Sequence, residues 1–240
     1  MFSYRTFKPL GAILFATATS LSPAWGQSVA YNNGVLLNNV DRFAISDRST
    51  DSPFADQTVS DTFRLVQPQT VNKVRWYGAY VFTDTPTAND DFVISFLQTY
   101  PSGNGQPLPD SFASFRVGNV GRTFTGVNAR NSGFAIYEYS ALLPVSVNFA
   151  GGTFALSIVN DTTADTNDVW GWATVGGDAQ MYFNRFGPQP TDWAARSGQV
   201  AFQLELAAPV PETGALWLML GGLVLMAGIK KSNQAKFTRP

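Results

Sequence analysis

The chain has 240 residues, of which 14% are aromatic and 14% charged, and it contains neither cysteine nor histidine. Disulfides, thiolate metal sites and a cysteine nucleophile are therefore excluded, and so are the usual general base and the usual zinc ligand. Residues 27–207 carry 10 lysines and arginines against 16 aspartates and glutamates, a net charge of −6, so the basic surface that nucleic-acid binding requires is missing.

The N-terminal segment, residues 1–26, has the pattern of a secretory signal peptide. An arginine and a lysine occur within the first eight residues, residues 10–18 are apolar, and Ala24 and Gly26 supply small residues for cleavage. The apolar stretch is too short for a comfortable membrane span. We therefore expect the protein to be exported.

Residues 27–207 are predicted to form one exported all-β domain. Apolar and polar residues alternate in short segments between turn signals, and no segment of ten or more residues has a helical period. The predicted strands are residues 62–66, 71–82, 91–98, 112–118, 135–142, 145–149, 153–160, 169–175, 181–186 and 200–206. Many short strands without helical crossovers favour an antiparallel β-sandwich of jelly-roll type.

The tryptophans of this domain have two interpretations. Trp170 and Trp172 point to one side of their strand, and Trp76 and Tyr80 point to one side of another. Aromatic rows can stack on sugar rings, but large aromatic residues also fill the space between two sheets. We expect Trp76 and Trp170 to be core residues, and Trp172 to share the environment of Trp170. Trp193, in a predicted loop, is expected to be exposed, and with Trp172 it is the candidate for carbohydrate binding.

The carboxylates also have two interpretations. Asp161, Asp165 and Asp168 share one polar loop, where clustered oxygen ligands suit Ca²⁺, but their spacing is not that of an EF-hand, and such aspartates also cap solvated turns. We expect no cofactor, with a structural calcium ion at these aspartates as the alternative. Glu138 and Glu205 are the only glutamates of residues 27–207. A glycosidase needs two carboxyl groups across a cleft, whereas these glutamates occupy solvent-facing strand positions, so we expect no enzymatic activity.

The C-terminal segment, residues 208–240, has three consecutive parts. They are the motif Val210, Pro211 and Glu212, an apolar run at 214–229, and a basic end that starts with Lys230 and Lys231. As a helix, the apolar run would be about 24 Å long, slightly shorter than the hydrocarbon core of about 30 Å. Basic residues stay on the cytoplasmic side. The residues alone therefore predict a membrane helix with the preceding domain facing outward.

This layout resembles the PEP-CTERM sorting signal of Gram-negative bacteria. In that family, exosortase, a membrane-embedded cysteine protease, reads the signal and removes the tail. The resemblance implies that Pro211 and Glu212 are recognition residues and that Lys230 and Lys231 form the basic end. Thr213 stands where the family often has a second proline. The resemblance also implies transient anchoring in the inner membrane, followed by delivery to the cell surface or the extracellular matrix.

The preceding domain resembles a second family, a recurring exported bacterial β-sandwich found in many PEP-CTERM proteins, over roughly residues 55–206. The matching stretches are VRWYGAYV, DDFVISF, WGWATV and the Gly-Gly turn before FALSIVND. That domain is generally without an assigned function, so this resemblance implies a fold only. Together, these features predict a non-enzymatic protein that interacts with exopolysaccharide or matrix protein. A secreted polysaccharide hydrolase and a purely structural biofilm component are the alternatives.

Overall fold

The computed structural model describes residues 28–34, 40, 42–48, 57–81, 89–101, 104–164, 168–185 and 193–206. Within these ranges the chain is all-β, and its strands pair in antiparallel fashion. The twelve strands are β1 (Val29–Asn32), β2 (Phe43–Ile45), β3 (Gln57–Leu65), β4 (Gln69–Tyr80), β5 (Phe92–Thr99), β6 (Pro107–Gly118), β7 (Thr123–Asn128), β8 (Ala135–Phe149), β9 (Gly152–Asn160), β10 (Trp170–Arg185), β11 (Ala194–Val200) and β12 (Phe202–Leu206).

Strand pairing joins all twelve strands into one hydrogen-bonded network. Eight strands follow the order β1-β12-β4-β10-β3-β9-β5-β6, while β2 and β11 pair with β10, β8 pairs with β4, and β7 pairs with β8. We call β1, β2, β4, β7, β8 and β12 the first group, and β3, β5, β6, β9 and β11 the second group. Strand β10 belongs to both groups, because residues 170–173 pair with β2 and β4, whereas residues 181–185 pair with β3.

The main core is built by side chains from both groups. Phe92, Ile94 and Phe96 alternate along β5, and all three are fully buried. The ring of Phe92 lies 5.1 Å from that of Trp76 on β4 and 5.2 Å from that of Trp170 on β10, measured between centroids. Edge-to-face contacts of this kind are favourable beyond the area that they bury. The alternation predicted from the sequence therefore places the core correctly on these strands.

The structure joins the predicted segments 135–142 and 145–149 into the single strand β8. Pro144, which marks a break in the sequence, lies where the pairing of β8 with β4 changes register. Leu142 is paired with Lys73, but the next aligned pair is Val147 with Val71. A bulge of this kind tolerates a proline, because the ladder hydrogen bond at that position is already lost.

Strand β10 likewise joins two predicted segments. It runs through Gly176 and Gly177, which have the composition of a turn, and its pairing with β11 changes register between Val175 and Gln180. At this irregularity the strand passes from the first group to the second. Strands β1, β2, β7 and β11 were not predicted from the sequence.

Candidate functional site

Trp172 lies in the core, together with Trp76 and Trp170. All three side chains are fully buried. The indole N–H of Trp172 donates to the carbonyl oxygen of Ala201 at 2.9 Å, and its ring centroid lies 6.4 Å from that of Trp170. The core assignment of Trp76 and Trp170 is therefore confirmed. The choice of Trp172 as a carbohydrate-binding residue is wrong, because a fully buried ring offers no face to a sugar.

Trp193 is also buried, with only 8% of its surface exposed. Its ring packs in a small cluster with Leu97, Ala155 and Tyr182. The cause is the pairing of β11 with β10, which begins at Ala194 and holds the preceding tryptophan against the outward side of β5 and β9. The prediction of an exposed loop ring is therefore wrong. Nothing in the local sequence signals this burial, because it depends on a partner strand.

A groove of about 230 Å³ lies beside Trp193, on the outward side of the second group. Its other lining residues are Arg48, Thr58, Val93, Ser95, Leu97, Pro109, Ser111, Ser157, Val159 and Asp161. The alternation of side chains along β5 and β9 explains why these residues line the groove. Ile94 and Ile158 point into the core and are fully buried, so their neighbours along β5 and β9 point outward into the groove. The groove was not predicted from the sequence, although the alternation along β5 and β9 places Ser95 and Ser157 on the outward side.

Hydroxyl groups follow one another along the groove. The Oγ1 of Thr58 and the Oγ of Ser157 are 2.8 Å apart, and the Oγ of Ser157 donates to the carbonyl oxygen of Val59 at 2.8 Å. Thr58 must therefore be the donor in the first pair. Ser95, which lines the groove, pairs its hydroxyl at 2.9 Å with that of Ser114, which is not among the lining residues. Because each hydroxyl has two acceptor lone pairs, these residues can accept further hydrogen bonds from a ligand.

Asp161, which borders the groove, caps its own loop. Its backbone N–H donates to the carbonyl oxygen of Asp91 at 2.9 Å, and its Oδ1 accepts from the hydroxyl of Thr163 at 2.7 Å. Asp168 is buried, and Asp165 lies outside the described residues. In the described part of the chain, no three acidic side chains form a group that could hold a metal ion. The calcium ion therefore stays a prediction.

Asp47 is a buried carboxylate close to this loop. Its Oδ1 accepts from the hydroxyl of Thr162 at 2.7 Å, and its Oδ2 accepts from the backbone N–H of Trp170 at 2.8 Å. Burial raises the pKa of Asp47 to about 7; these two hydrogen bonds lower it, and the neighbouring Asp161 and Asp168 raise it further. Asp47 thus fixes the loop after β9 to the start of β10.

Asp90 forms a second buried polar network. Its Oδ1 accepts from the phenol of Tyr80 and, at 3.2 Å, from the side-chain amide of Asn160, while Nη1 of Arg122 lies 3.8 Å away. Burial raises the pKa of Asp90, against the lowering effects of Tyr80, Arg122 and Asn160. A cavity of about 170 Å³ beside this network is lined by Asn89, Asp90, Asn119, Gly121 and Arg122. Since Asp90 already binds three groups of the protein, we assign it a structural role.

The two glutamates of the hydrolase alternative share one cation. Nη1 of Arg75 lies 2.7 Å from Oε1 of Glu138, and Nε of Arg75 lies 3.1 Å from Oε1 of Glu205. Lys73 makes a further ion pair with Glu205 at 3.1 Å. A guanidinium group bridges both carboxylates, whereas a glycosidase needs its two carboxyl groups on either side of the glycosidic bond. The geometry therefore gives this pair a role in holding β4, β8 and β12 together.

The structure does not describe the residues assigned to the predicted sorting signal, which are Val210, Pro211, Glu212, Lys230 and Lys231. The same holds for residues 1–26, the predicted signal peptide. Among the described residues, no helical segment has the length and hydrophobicity of a membrane span.

Comparisons with known proteins add little to this geometry. No protein-family model matches the chain, and no curated protein matches it. The solved structures that are similar include the cysteine protease and lectin-like domains of Cwp84, a surface layer associated protein of Clostridium difficile, with 10% sequence identity and a TM-score of 0.40. The similarity covers 63% of this chain and 32% of that chain, so this chain spans about a third of that protein's length. A likeness this weak assigns neither a fold nor a function.

Proposed function

We propose that this chain is an exported, non-enzymatic protein of the cell surface or extracellular matrix, sorted by exosortase, that interacts with exopolysaccharide or matrix protein. In this proposal, residues 27–207 form a jelly-roll-like sandwich of two layers. The aromatic contacts between the two strand groups support this arrangement. Residues 208–240 anchor the chain transiently in the inner membrane and are then removed.

One observation carries the sorting part of the proposal. Within the last 31 residues, Pro211 and Glu212 precede an apolar run that ends at a basic tail, and residues 1–26 have the pattern of a signal peptide. A membrane anchor alone requires the apolar run and the basic tail, but it does not require a Pro-Glu pair before them. The pair therefore favours a sorting signal over a permanent anchor.

The test is the C-terminus of the protein recovered from cells. We expect the parent to lack Lys230 in its intact mass, because the tail has been removed. Glu212→Gln should be exported equally but should keep Lys230, because a protease that selects the glutamate charge no longer recognises its site. Thr213→Ala is the neighbouring control and should be processed like the parent. If parent and Glu212→Gln both retain Lys230, the tail is a plain anchor and the sorting proposal fails.

The interaction part of the proposal is supported by the groove beside Trp193. A glycan array, probed with the protein purified from cells that export it, separates the candidate functions. Binding without cleavage supports an interaction protein, release of shorter sugars supports the hydrolase alternative, and the absence of any binding supports a purely structural component. The ion pairs that Arg75 forms with Glu138 and Glu205 argue against hydrolysis by these two glutamates.

A further inference from the structure

The side chains that line the groove beside Trp193 are not part of the main core. Its lining side chains alternate with core residues, so that Ser157 and Val159 face the groove, while Leu156 and Ile158 are fully buried on the opposite side. Four strands contribute to it, which makes it a rigid surface. A site built on strands holds its groups more precisely than one built on loops.

The size of the groove restricts what can bind there. At about 230 Å³, it is smaller than the typical pocket for a drug-sized ligand. An α-helix is about 10–12 Å across with its side chains, so a helix or a folded partner does not enter. The volume suits one six-membered ring with its substituents.

The chemistry of the lining combines apolar and hydroxyl groups. Val93, Leu97 and Val159 offer carbon atoms, while Thr58 and Ser157 retain hydroxyl acceptor capacity. An apolar peptide side chain would leave the remaining acceptor capacity of these hydroxyls unused. A pyranose ring has C–H groups on its faces and hydroxyl groups around its edge, so it satisfies both kinds of surface at once.

Trp193 supplies one wall of the groove. Its indole N–H is buried, and among the described residues it has no hydrogen-bond partner. Because this N–H is not exposed to the groove, a ligand there contacts the ring of Trp193 and not its donor group.

The charges favour a neutral ligand over an acidic one. Among the described residues that line the groove, Arg48 is the one cationic side chain and Asp161 is the one anionic side chain, so the formal charges of these residues cancel. Residues 27–207 have a net charge of −6, which repels a polyanionic chain at long range.

We propose that this groove binds one neutral pyranose ring of a polysaccharide, between the Trp193 wall and the hydroxyl groups of Thr58 and Ser157. This inference rests on the proposed function and names its ligand class and its site. Neighbouring sugar units of the same polysaccharide extend from the groove into solvent.

The test uses the protein purified from cells that export it, titrated with cellohexaose, mannohexaose and an oligogalacturonate of similar length. We expect binding of at least one neutral oligosaccharide and weaker binding of the acidic one. Ser111→Trp, which fills the groove from β6, should weaken neutral binding at least tenfold. Ser146→Trp, at an exposed serine of β8 outside the groove, is the matched control and should bind like the parent. Both variants should keep the denaturant midpoint of the parent.

The outcomes separate this inference from the proposed function. If Ser111→Trp binds the neutral sugar as tightly as the parent does, the site is elsewhere and the interaction function stands. If only the oligogalacturonate binds, the neutral assignment is wrong. If the parent binds no sugar here or on the glycan array, both the groove site and the glycan part of the proposed function fail, while the C-terminal mass still decides the sorting part.

Discussion

The side-chain amide of Asn33 and the carboxylate of Asp61 meet in the protein interior. Nδ2 of Asn33 donates to Oδ2 of Asp61 at 2.7 Å and to the carbonyl oxygen of Val200 at 2.9 Å. The backbone N–H of Val200 donates to the same Asp61 oxygen at 2.8 Å, and that of Thr62 donates to the other oxygen at 2.7 Å. One buried carboxylate thus joins β3 to the residues that follow β1 and to the end of β11.

This arrangement predicts that the protein loses stability as the pH rises from 5 to 7. Burial raises the pKa of Asp61 from 3.8 to about 7, despite its hydrogen bonds, and raises that of Asp47 to about 7 as well. Between pH 3.8 and about pH 7, the two carboxyl groups keep their protons in the folded state but have released them in the unfolded chain. Each carboxyl therefore lowers the free energy of unfolding by up to about 1.4 kcal/mol per pH unit. Denaturant unfolding at pH 5, 6 and 7 measures this slope.

Asp61→Asn tests whether Asp61 causes this pH dependence. The amide nitrogen cannot accept a hydrogen bond, so at least one of the bonds that the two oxygens of the carboxyl group accept is lost, and the variant should be less stable than the parent at pH 5. The decisive measurement is the slope of the free energy of unfolding against pH. This slope should fall by up to half, because Asp47 still titrates. Asp110→Asn, at an exposed position of β6, should leave the slope unchanged. Stability that increases from pH 5 to pH 7 would show that these carboxyls do not retain protons on folding.

A second prediction concerns the close approach of β4 and β10. A Cβ atom at Gly78 would lie 2.5 Å from Cζ2 of Trp170, a distance that close packing does not permit. Gly78→Ala should therefore lower the free energy of unfolding by about 1–3 kcal/mol. Gly176→Ala is the matched control, since no atom lies within 4 Å of its added Cβ. Equal denaturant midpoints for the two variants would contradict this account of the packing.

A third prediction compares two buried tryptophans. Trp170→Ala should lower the free energy of unfolding by about 3–5 kcal/mol, because it leaves a cavity in the main core. Trp193→Ala should cost less, about 1–3 kcal/mol, because its cluster is small and borders an open groove. Urea denaturation of both variants tests the order. A Trp193→Ala variant as stable as the parent would mean that its cluster contributes nothing to folding.

The sequence predicts those parts of the fold that depend on alternation within one strand. Phe92, Ile94 and Phe96 show this, because two-residue periodicity alone separates their buried side from the outward one. Pro144 and Gly176 show the limit of such reasoning. Each has the composition of a break, but pairing with neighbouring strands continues the strand through an irregularity. The partner strand is distant in sequence for Pro144, whereas for Gly176 it is the next strand, β11.

The candidate site was predictable in part for the same reason. The outward positions of Ser95 and Ser157 follow from the alternation, but the burial of Trp193 follows from the pairing of β11 with β10. The link from Glu138 through Arg75 to Glu205 also requires β8, β4 and β12 to lie side by side. No local pattern gives that order of strands, so a prediction from one sequence identifies the residue types but not their partners.

Strand β10, which both strand groups share, affects how the domain unfolds. A domain whose two strand groups had separate strands could lose one of them and keep the other intact. Here each group pairs with a different part of the same strand, so neither group can detach without removing a strand from its neighbour. The domain is therefore expected to open as one cooperative unit, although the chain has no cysteine with which to form a disulfide.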